Sequence, residues 1–279
     1  MIDILVTATL IYTGKEVIRE GYVYVKGGRI AGVGQMPIPE DLTYATLQLG
    51  GEGRIVVPGL VAVLDAAAYP IRFYRPSMRK RIEFYKLLSP EDLARLSLPA
   101  VYEAHLSGIT SILVEGLDPS LPNRLRDMVG GIYGLAKPGC LEDGQGGDYV
   151  RVSDESCPGG VRIDSGEVLA LSSKPAYTLA SVEDPYKLSL GLRRQAGLGS
   201  QEIRPGETAE IAIYDASRPP GMLMEYAPLD VIERIYVYGR VESLIAADSV
   251  LVDGHEHIVI SDKDLREARK ASIRLLSSR

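Results

Sequence analysis

The stretch Arg54-Ile55-Val56-Val57-Pro58-Gly59-Leu60-Val61-Ala62-Val63-Leu64 limits the fold more than any other feature of the chain. It is apolar and, after Pro58, has no alternation. Both faces of the strand it forms must therefore be covered, as they are in parallel sheets. A helix with a well-marked start follows: Ser89 as N-cap, Pro90 at the first helical position, and Glu91 and Asp92 beside the positive end of the dipole. Leu93, Leu96, Ala100, Val101 and Ala104 supply its apolar face, and Ser107-Gly108 ends it, since glycine accepts the left-handed cap. Ile109 to Val114 then reads as a second strand. Strand, helix, strand in that order is a βαβ unit, which selects α/β layers.

The two ends of the chain read differently. Ile2 to Val6, Tyr22 to Val25 and Arg29 to Val33 are β-rich, and Lys26-Gly27-Gly28-Arg29 is a two-glycine hairpin. Near the other end, Glu210 to Tyr214, Ile232 to Tyr238 and Ser249 to Val252 read as short strands. Ser261-Asp262-Lys263-Asp264 is a capping box that opens a helix through Leu265, Ala268, Ser272 and Leu275. Between them, Asp118 to Gly166 is rich in Gly, Pro and Asp and reads as loop or irregular structure, with a strand at Val168 to Leu171 and a helix at Asp184 to Gly197 after it.

Composition narrows the function. The chain of 279 residues holds only three His and two Cys, so a site built on four or more imidazoles is excluded. A net charge of -6 gives no footprint for nucleic acid. No stretch approaches the roughly 20 apolar residues of a membrane span, and Met1 to Val6 lacks the basic start of a signal peptide. Two cysteines make no secreted disulfide framework, so the expected location is the cytoplasm. A single Asn, Asn123, suits a thermophilic source.

Taken in order, several motifs resemble the amidohydrolase superfamily in its imidazolonepropionase and deaminase branch. Gly27-Gly28-Arg29-Ile30-Ala31-Gly32-Val33-Gly34 is similar to that family's early hairpin, and Val57-Pro58-Gly59-Leu60-Val61 to the lead into its first barrel strand. Leu106-Ser107-Gly108-Ile109-Thr110-Ser111-Ile112 resembles the approach to its second strand. Ile203-Arg204-Pro205-Gly206-Glu207-Thr208-Ala209-Glu210-Ile211 resembles its return to the small β-domain, and Asp248-Ser249-Val250-Leu251-Val252-Asp253-Gly254 its late hairpin. The resemblance covers residues 1 to 117 and about 185 to 279. It implies a TIM-like α/β barrel with a β-sandwich built from both chain ends, and a metal-activated water, which zinc supplies by lowering the water's pKa to about 7.

The metal ligands of that family are missing here. Its His-x-His falls on Leu64 and Ala66, and the Asp that usually precedes it falls on Ala62. A full barrel takes roughly 250 residues, more than the interval from Leu64 to Glu207 provides. The expectation is a truncated or degenerate barrel over residues 58–202, joined to a composite β-sandwich of residues 1–57 and 203–279 that includes the C-terminal helix. The implied protein is amidohydrolase-like, metal-free and catalytically inactive, a pseudoenzyme with a binding or structural role. The alternative is an active hydrolase on non-peptide C-N bonds with a rebuilt site.

Asp65 is the candidate catalytic residue of that alternative. Arg72, Arg75 and Arg79, in a run with Lys80 and Arg81 and interleaved with Tyr74, Phe84 and Tyr85, are the candidate binding residues for an anionic ligand or an acidic partner, or else a solvated helix or loop face. No metal or cofactor is expected, and no nucleic acid or membrane partner. A homo-oligomer would cover open barrel edges. His255-Glu256-His257 would place two imidazoles on one face of a strand, or lie in a solvated turn. Cys140 and Cys157 read as free thiols or as a bridge.

Overall fold

The computed structural model describes residues 2–64, 67–74, 78–136, 141–143, 149–152, 167–169 and 185–277. In chain order the strands are β1 (Ile4–Tyr12), β2 (Val17–Lys26), β3 (Arg29–Gln35), β4 (Leu47–Pro58), β5 (Leu60–Leu64), β6 (Ile109–Glu115), β7 (Ile132–Ala136), β8 (Leu141–Asp143), β9 (Tyr149–Val152), β10 (Glu167–Leu169), β11 (Glu210–Asp215), β12 (Val241–Ala246), β13 (Ser249–Asp253) and β14 (Glu256–His257). The helices are α1 (Tyr69–Tyr74), α2 (Met78–Leu87), α3 (Pro90–Leu106), α4 (Leu121–Val129), α5 (Pro185–Gln195), α6 (Pro228–Tyr238) and α7 (Asp262–Ser277). No helix among the described residues is long and apolar enough to cross a membrane.

Gly27 and Gly28 decide the first turn. Both hold positive φ, 58° and 75°, the backbone of a two-residue hairpin whose twist matches its strands, and Lys26 faces Arg29 across it. The hairpin joins a sheet in the order β14-β13-β12-β11-β4-β1-β2-β3. β1 lies parallel to β4, and the other pairs are antiparallel. Both ends of the chain thus meet at the β4–β11 pair. The sheet also folds back on itself: Ile30 N–H donates to Glu207 O at 2.9 Å, Gly206 N–H to Ile30 O at 2.8 Å and Ala209 N–H to Gly28 O at 2.9 Å. The strand at one edge therefore meets the segment that leads into β11. Ile4, Val6, Val23, Val25, Ile211 and Ile213 share one buried core inside this curl. The sandwich expected from the sequence is in this structure a single curled sheet.

The second layer system is α/β. Ser89 caps α3, its Oγ accepting from Asp92 N–H at 3.1 Å, and Gly108 ends the turn with φ 83°. β6, buried along its whole length, sits between β5 and β7 and runs parallel to β7. α4 and β7 overturn the reading of 118–136 as irregular. Pro122 stands in the first turn of α4, where its missing N–H costs nothing, and Gly130 stops the helix with φ 75°. Both residues are helix boundaries rather than loop signals. The strand expected at Ile232 to Tyr238 is also overturned: it is α6, which buries Val231, Ile232, Ile235 and Tyr236 at helical spacing. β8, β9 and β10 form a separate small antiparallel sheet.

The chain divides into two units: Met1–Leu60, His105–Thr110 and Gly199–Ile258 in the first, Val61–Ala104, Ser111–Leu198 and Val259–Arg279 in the second. α7, attached to the sheet domain in the sequence reading, clusters with the second unit, where it touches α1. Its capping box is formed. Ser261 N–H donates to Asp264 Oδ2 at 2.9 Å and Asp264 N–H to Ser261 Oγ at 3.3 Å, and the Ser261 hydroxyl holds the Asp264 carboxyl below its usual value. Ser261→Ala is expected to cost about 1 kcal/mol, read as a lower urea midpoint and faster amide exchange confined to the first turn of α7.

Candidate functional site

In α/β folds, ligand sites form at the carboxyl ends of parallel strands, here Leu64, Glu115 and Ala136. Leu64 is fully buried. Glu115 ends a strand whose preceding residues are all uncharged, and its carboxylate meets Arg81 from α2, Nη1 to Oε2 at 3.4 Å, with side chains only 7% and 0% exposed. Both charges have left water, which is costly unless each answers the other. Arg81 lies on the inner face of α2 together with Phe84 and Tyr85, both buried, while Lys80 faces outward. That i, i+3, i+4 spacing, and a lone carboxylate closing an apolar strand, were the signals in the sequence for this pair. At the other end of β5, Ser189 on α5 accepts the Val61 N–H at 2.7 Å. Arg193, one turn further along α5, is buried as well.

Of the residues singled out in the sequence, Asp65 and Arg75 lie outside the described residues, as do Cys140 and Cys157. Arg72 falls within α1 and Arg79 within α2. All three candidate binding residues thus precede Arg81 in the chain.

All three histidines belong to the first unit. His255 and His257 do not share a face, because β14 is only two residues long and His255 precedes it in a left-handed turn, φ 68°. His255 Nδ1–H donates to Val241 O at 2.9 Å. His257 turns inward instead of into solvent, and its Nε2 lies 2.9 Å from Nδ1 of His105. Burial, together with its neighbour, holds His105 well below the ordinary imidazole value, and burial places His257 at about 4. Both rings are neutral near pH 7. Asp215, Glu242 and His255 also approach one another on the sheet, but Arg54 already engages Glu242 through Nε at 2.8 Å and Nη2 at 3.1 Å. Ser217 holds Asp215 Oδ1. Both carboxylates of that cluster are thus already engaged within the protein.

Neither a protein-family model nor a curated protein sequence matches the chain. Solved structures do. An atrazine chlorohydrolase from Arthrobacter aurescens, complexed with zinc, aligns with a TM-score of 0.69 at 10% identity, covering 96% of this chain and 100% of that one. An adenosine deaminase from Xanthomonas campestris with bound zinc gives 0.63 at 14% identity, covering 99% of each. An amidohydrolase from Brucella melitensis gives 0.60 at 12% identity, covering 98% and 99%. The fold is that of the amidohydrolases.

An amidohydrolase fold implies a divalent metal at the strand ends, and among the described residues those at Leu64 and Glu115 do not fit one. The second unit contains no imidazole. Leu64 offers only a buried aliphatic side chain, and the carboxylate that ends β6 is matched by a guanidinium, whose charge would repel a cation.

Proposed function

We propose that this chain is a metal-free, catalytically inactive relative of the amidohydrolases, with a reduced barrel and a role in binding or structure. The observation that carries the reading is the buried Arg81–Glu115 pair. It puts a buried pair of opposite charges at the end of the central strand, where the fold's hydrolytic members need open ligand positions. β5, β6 and β7 share one sheet in which β6 and β7 run parallel, and this supports a shortened barrel. In this reading Arg72, Arg75 and Arg79 supply positive charge for an anionic small molecule, and a second copy covers the open strand edges.

Metal analysis of protein purified without chelator tests the proposal. Substoichiometric zinc, iron and manganese are expected, and one equivalent of any of them overturns it. Turnover of a cyclic amide or a deaminase substrate, abolished by Asp65→Asn, would overturn it too and establish the rebuilt-site hydrolase.

A further inference from the structure

We infer that His105 and His257 form an acid-sensitive latch that holds the edge strand β14 against the end of α3 while both rings are neutral. The geometry is specific. The two rings are buried and stacked, centroids 5.2 Å apart at 26°, and their facing nitrogens share one proton over 2.9 Å. One ring donates and the other accepts. A second proton on the facing nitrogens would set N–H against N–H, and two charges in a buried site would repel each other.

His257 is well placed to act on the strand. It stands opposite Val252, which stands opposite Leu244, so this row of β12, β13 and β14 faces the interior. The neighbouring row carries the charges: Glu256 is exposed opposite Asp253, which accepts from Ser243 at 3.0 Å. Arg240 donates to His255 O at 2.8 Å, Glu242 is tied to Arg54, and Glu103 on α3 accepts from Tyr69. His105 on α3 and His257 on β14 meet each other directly. The negative end of α3 favours a cation at His105, but burial outweighs it, since the ring is held well below its ordinary value. β14 is the last strand before the chain reaches Ser261 and α7. The latch therefore controls where the sheet releases the C-terminal segment.

The direction follows from where the protons bind. A released imidazole has the ordinary value near 6.5, whereas His257 in place lies at about 4. As pH falls, the released form takes up protons first. The latch is at full strength above about pH 6.5 and weakens from there down to about pH 4. At pH 5 release of one ring is favoured about thirtyfold over its value at high pH, and of two rings about a thousandfold.

Amide exchange of the whole chain, corrected for the intrinsic pH dependence of exchange, tests this between pH 8 and pH 5. Protection of residues 249–257 is expected to fall by about a thousandfold while β1 and β2 keep theirs. In His257→Gln, whose amide can still bond His105 but takes no charge, the dependence is expected to shrink to about thirtyfold. Protection that does not change with pH, equal loss across the whole sheet, or an unchanged dependence in the variant would overturn the latch. Should the variant fail to fold, imidazole nitrogen shifts of the wild-type protein decide the matter. Rings that stay neutral at pH 5.5 support it, and rings that titrate near 6.5 in the folded protein overturn it.

Discussion

Glu115→Ala is expected to lower the thermal midpoint by roughly 10 °C, because it leaves Arg81 charged and buried without its carboxylate. Breaking a buried pair from one side costs about 3–5 kcal/mol, and each kcal/mol moves the midpoint of a chain this size by about 2–4 °C. The Arg81 Nη1–Glu115 Oε2 contact of 3.4 Å is long for a charge-assisted hydrogen bond. The pair is thus weak as a stabiliser yet costly to halve. Arg81→Met with Glu115→Leu together removes both charges and keeps most of the volume, and it should return the midpoint close to wild type. Full recovery in the double variant would mean the pair is kept for what it does at the strand ends rather than for stability. If Glu115→Ala unfolds at the wild-type temperature, the two charges are not buried together as described, and the main support for a closed, metal-free site is lost.

That pair also shows where sequence reading stops. Local signals were legible because their physics is local: two glycines for the positive φ of the first hairpin, Ser89 and Ser261 as hydroxyl caps, a run without alternation for a strand covered on both faces. Where a residue type serves two purposes, the reading failed. Pro122 and Gly130 mark turns and equally mark the start and stop of α4. Val231, Ile232, Ile235 and Tyr236 are good strand formers that α6 uses at helical spacing, because burial outweighs intrinsic preference. The pairings were the least accessible. Arg81 and Glu115 are separated by 34 residues and His105 and His257 by 152, and no periodicity in either segment names the partner. That no histidine stands between His105 and His255 was, by contrast, legible from the sequence alone.

Gly59→Ala is expected to cost about 3–5 kcal/mol, although this glycine needs no unusual backbone angle. A Cβ there would sit 2.2 Å from Thr110 Cγ2 and 2.4 Å from its Oγ1. Thr110 cannot turn away freely, since its hydroxyl donates to the buried Glu210 carboxylate at 2.8 Å. The backbone is fixed on both sides as well. Gly59 N–H donates to Glu210 O at 2.9 Å, Gln201 donates to Gly59 O at 2.9 Å, and the Tyr236 hydroxyl donates to Pro58 O at 2.8 Å. Overpacking of about 1–3 kcal/mol therefore adds to the loss of a charge-assisted bond of similar size. The two sites should couple. In a Thr110→Ala background the two closest atoms and the bond to Glu210 are already gone, leaving only the Cβ at 2.8 Å, so the same Gly59→Ala change should cost less, by about 1–3 kcal/mol in a double-mutant cycle of urea unfolding. Strict additivity would show that the glycine is required for some other reason. The joint at Pro58-Gly59 is where the chain leaves the curled sheet for β5, and only a residue without Cβ lets it pass this close to Thr110 at the start of β6. The Pro-Gly pair is legible in the sequence as the lead into β5, whereas the contact with Thr110 that requires the glycine is not.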